Sequence, residues 1–170
     1  MYPQHKATEA FYYPPIPVWQ IRIASLKPGL GDDDLEVDLV PAALLHSGGV
    51  TFGLHHAASY EALSYTWGAQ QRTVPVLCNG REHRVTDALA RALKCLRLPG
   101  KQRLLWIDAL CINQSNNEEK AVQVSNMFAI YRQLPLCSSG LESPVLGPRL
   151  LSVGSATSVL TVHDKRTPRV

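Results

Sequence analysis

One short stretch of the chain gathers most of the groups able to do chemistry. Behind Trp106 stand a carboxylate at Asp108, a thiol at Cys111, amides at Asn113 and Gln114, a second carboxylate at Glu119 and a third amide at Gln123. Residues 104–107 are a short apolar run of the kind buried on both faces in a parallel sheet. Asp108 therefore falls at the carboxyl end of a strand, where ligands favour open α/β sheets. Asp108, Cys111, Asn113 and Gln114 would line a small polar pocket there, suited to a nucleotide. Asp108, Cys111 and Glu119 are the candidate catalytic residues. Each also has an architectural reading, and that reading is preferred. Asp108 and Asn113 are side chains that hydrogen-bond the backbone of tight turns. Cys111 has no histidine near it in sequence to activate a nucleophile. Glu119 is an anion in the first turn of a helix, where the dipole favours it.

The elements that must position this stretch can be read from periodicity. Residues 1–18 form an irregular arm rich in Tyr and Pro, lying on the domain. Residues 19–59 hold N-terminal strands and loops. Residues 19–26 alternate with Trp19, Ile21 and Ile23 on one face, and Leu35, Val37 and Leu39 continue the alternation in a second strand. Between them, Asp32, Asp33 and Asp34 follow Gly29 and Gly31. Such a run could hold a hard cation, but a solvated loop is preferred. Residues 60–67 read as a strand ended by Gly68. Asn79-Gly80 joins residues 74–78 and 81–85 in a hairpin, because both central positions of a type I′ turn need positive φ. Thr86 caps a helix whose Leu89, Leu93 and Leu96 share one stripe, with Asp87 and Arg91 paired four apart. Pro99-Gly100 ends it. Ser115-x-x-Glu118 reads as a capping box for a last helix of about 16 residues, with Ala121, Val124, Phe128 and Tyr131 facing inward. Hairpin, helix, buried strand, helix is α/β order, so the fold class is a mixed sheet flanked by helices. Residues 134–170 are rich in Ser, Pro and Gly and read mostly as disordered.

Composition narrows the function classes. The chain has 170 residues, 45% hydrophobic and 18% charged, with a formal net charge of +3. That excess is too mild to mark a nucleic-acid binder, and the basic residues of 81–103 read as a solvated face. No apolar run reaches the length of a membrane span, and the first residues lack an apolar signal core, so a cytoplasmic protein is expected. Cys78, Cys95, Cys111 and Cys137 are widely spaced, which suits reduced thiols and no metal site.

Three blocks stand out together: Tyr60-Glu61-Ala62-Leu63-Ser64-Tyr65-Thr66-Trp67-Gly68, then Leu105-Trp106-Ile107-Asp108-Ala109-Leu110-Cys111-Ile112-Asn113-Gln114, then Glu119-Lys120-x-x-Gln123-Val124. In order and spacing they resemble the heterokaryon incompatibility (HET) domain of filamentous fungi, over residues 60–133. The resemblance implies a cytoplasmic module of nonself recognition, linked to programmed cell death and acting through a protein partner or self-association. It implies a fold similar to Toll/interleukin-1 receptor (TIR) domains, some of which cleave NAD, so NAD would be a substrate rather than a bound cofactor. The motif residues carried over are Tyr65, Trp67, Gly68, Trp106, Asp108, Cys111, Asn113, Gln114, Glu119 and Gln123. Trp67 could stack on a ligand ring, though a packed aromatic is preferred. The family pattern continues after its last helix with an alanine and an apolar strand, whereas Leu134-Pro135-Leu136-Cys137 follows here. The domain is thus expected to be truncated, leaving Val124, Phe128 and Tyr131 as an exposed apolar stripe, and the alternatives to a signalling module are an NAD-cleaving enzyme or an inert truncated fragment.

Overall fold

A computed structural model describes residues 11–45, 50–53, 56–64, 71–132 and 161–163. The strands are β1 (Gln20–Leu26), β2 (Glu36–Leu44), β3 (Val50–Phe52), β4 (His56–Ala58), β5 (Glu61–Ser64), β6 (Arg72–Cys78), β7 (Arg81–Thr86), β8 (Arg103–Trp106) and β9 (Thr161–His163). Three helices join them: α1 (Asp87–Leu96), α2 (Asp108–Cys111) and α3 (Asn117–Arg132). The sheet is mixed, as expected. Its strands run in the order β4-β3-β2-β1-β8-β5-β9, and β6 pairs with β2 and β7. The pairs β5–β8 and β2–β6 are parallel, while β1 is antiparallel to both β2 and β8. Two small departures concern strand pairing. The short apolar run ending at Trp106 has one antiparallel neighbour rather than two parallel ones, and residues 161–163 pair antiparallel with β5.

Local sequence explains most elements. The hairpin of β6 and β7 turns at Asn79 (φ 50°) and Gly80 (φ 73°), the positive-φ pair that Asn-Gly supplies. Asn79 adds a long-range hold, its Oδ1 accepting from the Leu39 N–H at 2.7 Å. Thr86 Oγ1 caps α1 by accepting from the Leu89 N–H at 3.2 Å, and Asp87 pairs with Arg91 at 2.6 Å. Leu89, Ala92, Leu93 and Leu96 are all buried on the sheet. Each such leucine contributes about 1.5–3 kcal/mol relative to exposure.

Three expectations are corrected. Trp19 lies outside β1 and is 62% exposed, and β1 is buried on both faces rather than alternating. The cause is cover on both faces: α2, α3 and the arm lie over Arg22, while Ile21 and Ile23 face the hydrophobic core. The acidic loop is exposed, in line with the preferred reading, and the Arg97 guanidinium holds its backbone through the carbonyls of Gly31, Asp33 and Asp34 at 2.9–3.1 Å. The last helix is capped by Asn116, not Ser115: Asn116 Oδ1 accepts from the N–H groups of Glu118 and Glu119 at 3.0 Å. Its apolar stripe is exposed at Val124 and Phe128, as expected, but not at Tyr131, and other residues carry the inward face. Gln123 and Ile130 are buried, Met127 and Tyr131 half-buried, and Val124 and Phe128 are 51% and 74% exposed. Polar anchors set this rotation, as Glu119 and Gln123, four apart on one face, both reach bonding partners on or near β1.

Candidate functional site

The geometry of the site is built around a residue that sequence periodicity assigns to solvent. Arg22, in the middle of β1, is 1% exposed. Its Nη1 donates to Glu119 Oε1 at 2.5 Å and its Nη2 to Glu119 Oε2 at 3.1 Å, a bidentate pair. Nη1 also donates to the Cys111 carbonyl at 3.2 Å, and Nη2 to the Pro14 carbonyl at 2.6 Å. The Tyr13 ring lies 5.1 Å from the guanidinium carbon. A buried cation needs such company, since an unpaired charge inside a protein costs several kcal/mol.

This arrangement gathers part of the motif into one network. Glu119 Oε1 also accepts from the Asn113 N–H at 2.9 Å. Burial pushes the Glu119 carboxyl up, but the hydrogen bonds from Arg22 and Asn113 outweigh it and hold the group below its ordinary value. Gln123 Nε2 donates to the Gln20 carbonyl at 2.9 Å, while its buried Oε1 has no hydrogen-bond partner. Asp108 Oδ1 accepts from the Ala109 N–H at 2.7 Å, and the Asp108 carbonyl accepts from Gln114 Nε2 at 2.9 Å. Asn113 Oδ1 accepts from the Ser115 N–H at 3.1 Å. Each of these bonds fixes the backbone path from β8 through α2 into α3.

The chemical capacity of the candidates follows. Cys111 is fully buried, its Sγ 3.4 Å from the Ile107 N–H. Burial pushes its thiol up to about 12, so it is protonated at neutral pH and is a poor nucleophile. Glu119 has both oxygens held by donors, which makes it an anchored anion. Trp106 is fully buried and meets Tyr131 edge-on at 5.5 Å, its Nε1 without a partner. Tyr65, Trp67 and Gly68 lie outside the described residues. Among the described residues, no group of three or more His, Cys, Asp or Glu side chains could hold a metal. A shallow recess beside α2 is lined by Arg72, His83, Arg84, Thr86, Leu89 and Ala109. Burial, aided by the Arg72 charge, holds His83 below its ordinary value, so it is neutral against the rings of Phe11 and Tyr13.

Residues 60–144 match the family described as heterokaryon incompatibility protein (HET). The chain belongs to the HET family. It is 43% identical over 86 residues to heterokaryon incompatibility protein 6, OR allele, of Neurospora crassa, with 43% of this chain and 13% of that relative covered. The chain thus spans a small part of the relative's length. No solved structure matches it. The HET match passes Gln133, where the recognisable motifs stop, and reaches residue 144. It begins at Tyr60, yet Arg22 and Tyr13 lie upstream of it and complete the network around Glu119. The signal that could have exposed Arg22 is a lone arginine between Ile21 and Ile23, in a strand too apolar around it to face water.

Proposed function

We propose that this HET protein is a cytoplasmic signalling module of fungal nonself recognition, linked to programmed cell death and acting through contacts with a protein partner or a second copy. The family match over residues 60–144, with its 43% identity to a curated incompatibility protein, carries this reading. The motif chemistry supports it. Asp108, Asn113, Gln114 and Glu119 spend their hydrogen bonds on the turn and on Arg22, as a scaffold for a recognition surface does. The free thiols of Cys78, Cys95 and Cys111 suit a reducing compartment. No helix among the described residues is long and apolar enough to cross a membrane.

The finer fold reading, a TIR-like domain, is supported by the parallel β5–β8 pair with α2 and then α3 following β8. The antiparallel placement of β1 beside β8 departs from an all-parallel sheet. For NAD cleavage, no specific observation favours an unengaged carboxylate among the named candidates. Expression of the chain in a filamentous fungal cell tests the signalling reading. Growth arrest is expected, and it should weaken when Trp67 and Asp108 are substituted. Arrest that is absent, or indifferent to both substitutions, overturns it. Incubation of folded protein with NAD, reading released nicotinamide, is expected to give no turnover.

A further inference from the structure

Residues 11–14 are seated like a bound peptide. β7 pairs with β6 alone among the described residues, which leaves its other edge available. The arm lies on that edge: the Phe11 N–H donates to the Glu82 carbonyl at 3.1 Å. Side chains alternate as in an added strand, with Phe11 and Tyr13 packed against the core and Tyr12 65% exposed between them. Phe11 and Tyr13 meet edge-on at 4.7 Å, and both meet His83, at 5.3 and 5.8 Å. Tyr13 Oη donates to the Leu110 carbonyl at 3.1 Å, and the Pro14 carbonyl takes Arg22. Main-chain bonds at a sheet edge with pockets for alternate side chains are the mode by which sheets accept extended peptides.

The connector behind the arm is stiff. Pro14, Pro15 and Pro17 fix φ in an extended path, so the arm can leave its seat only by opening the bend at residues 17–20. That bend is closed by one backbone bond, from the Gln20 N–H to the Pro17 carbonyl at 2.9 Å. It carries Val18 and Trp19, 68% and 62% exposed. Large apolar side chains left in water at a hinge are what a second, opened hinge would cover.

We propose that this seat is an interface between copies of the chain, in which residues 11–14 of one molecule add to β7 of another and the two opened bends meet through Val18 and Trp19. Every contact made within one molecule is remade between two, so exchange costs little beyond association, and the pairing closes as a two-fold dimer. The argument rests on the arm, upstream of the HET match, and gives a geometry to the second-copy contact of the signalling reading, while its test does not depend on that reading.

Light scattering on the full chain tests it. A dimer is expected whose fraction grows toward concentrations on the order of 1 mM, where the second arm competes with the tethered one. In a Cys95→Ser, Cys137→Ser background, a Phe11→Cys copy mixed with a His83→Cys copy should form a disulfide-linked heterodimer, and either variant mixed with the background chain should not. Adding Tyr13→Ala to the Phe11→Cys copy should cut the linked product several-fold. A chain that stays monomeric throughout the series overturns the proposal, with no variant needed. A dimer that forms without the cross-link places the interface elsewhere and overturns it equally. Growth arrest in cells is read separately, so either idea can fail alone.

Discussion

Two arginines are buried among the described residues, and they are satisfied by different partners. Arg22 meets a carboxylate, two carbonyls and an aromatic face. Arg97, 8% exposed, meets three carbonyls of the 29–34 loop and no carboxylate, although Asp32, Asp33 and Asp34 stand in that loop. Asp32 instead pairs with Lys94 at the surface, and Asp33 caps its own turn through the Leu30 N–H. The contrast separates two jobs. The Arg97 cation organises one loop by gathering peptide dipoles, and water can replace it there at modest cost. The Arg22 cation joins the arm, β1, α2 and α3, and its removal strands a partner charge.

Arg22→Met should break the comparison most visibly, costing about 3–5 kcal/mol, because it leaves the Glu119 carboxylate inside without its cation. Urea unfolding measures this, and adding Glu119→Leu should recover much of the loss. A double variant as damaged as the sum of its parts would show that the pair is not coupled. Acid should then divide the two sites. Glu119 is held below its ordinary value, so its contribution is complete at neutral pH and is lost as pH falls from 4.5 toward the lowered value. The carbonyls around Arg97 do not titrate. Hydrogen exchange in α3 should therefore quicken as pH falls below 4.5 and Glu119 takes up its proton. Arg97→Met should cost about 1–3 kcal/mol, with protection lost mainly in that loop. Gly29→Ala should be the mildest, at about 1 kcal/mol, since a Cβ there would meet Arg97 Nη1 at 2.9 Å and shift a tip held by three carbonyls.

What could be read from sequence follows the range of the forces involved. The β6–β7 hairpin and α1 were legible because their determinants are local: a positive-φ pair at Asn79-Gly80, a hydroxyl cap at Thr86, a leucine stripe. The 16-residue extent of α3 was legible for the same reason. Its rotation was not, because Glu119 answers to Arg22, which lies 97 positions away. An apolar stripe through Val124 and Phe128 loses to an ion pair and to the Gln123 bond with β1. Arg22 itself was hidden by the assumption that a strand alternates, which fails where both faces are covered. The motif residues were legible as a group. For Asp108 and Asn113, service to the backbone was also the preferred reading from their types, and their hydrogen bonds are of that kind; the Gln114 bond to the Asp108 carbonyl was not anticipated.

The unequal placement of the cysteines gives the molecule an internal clock. Cys95 lies open to reagents, while Cys78 and Cys111 are sealed. An alkylating agent would mark the first at once and reach the last only when the junction beneath α3 parts. The rate at which mass accrues on Cys111 thus times that opening without any added probe.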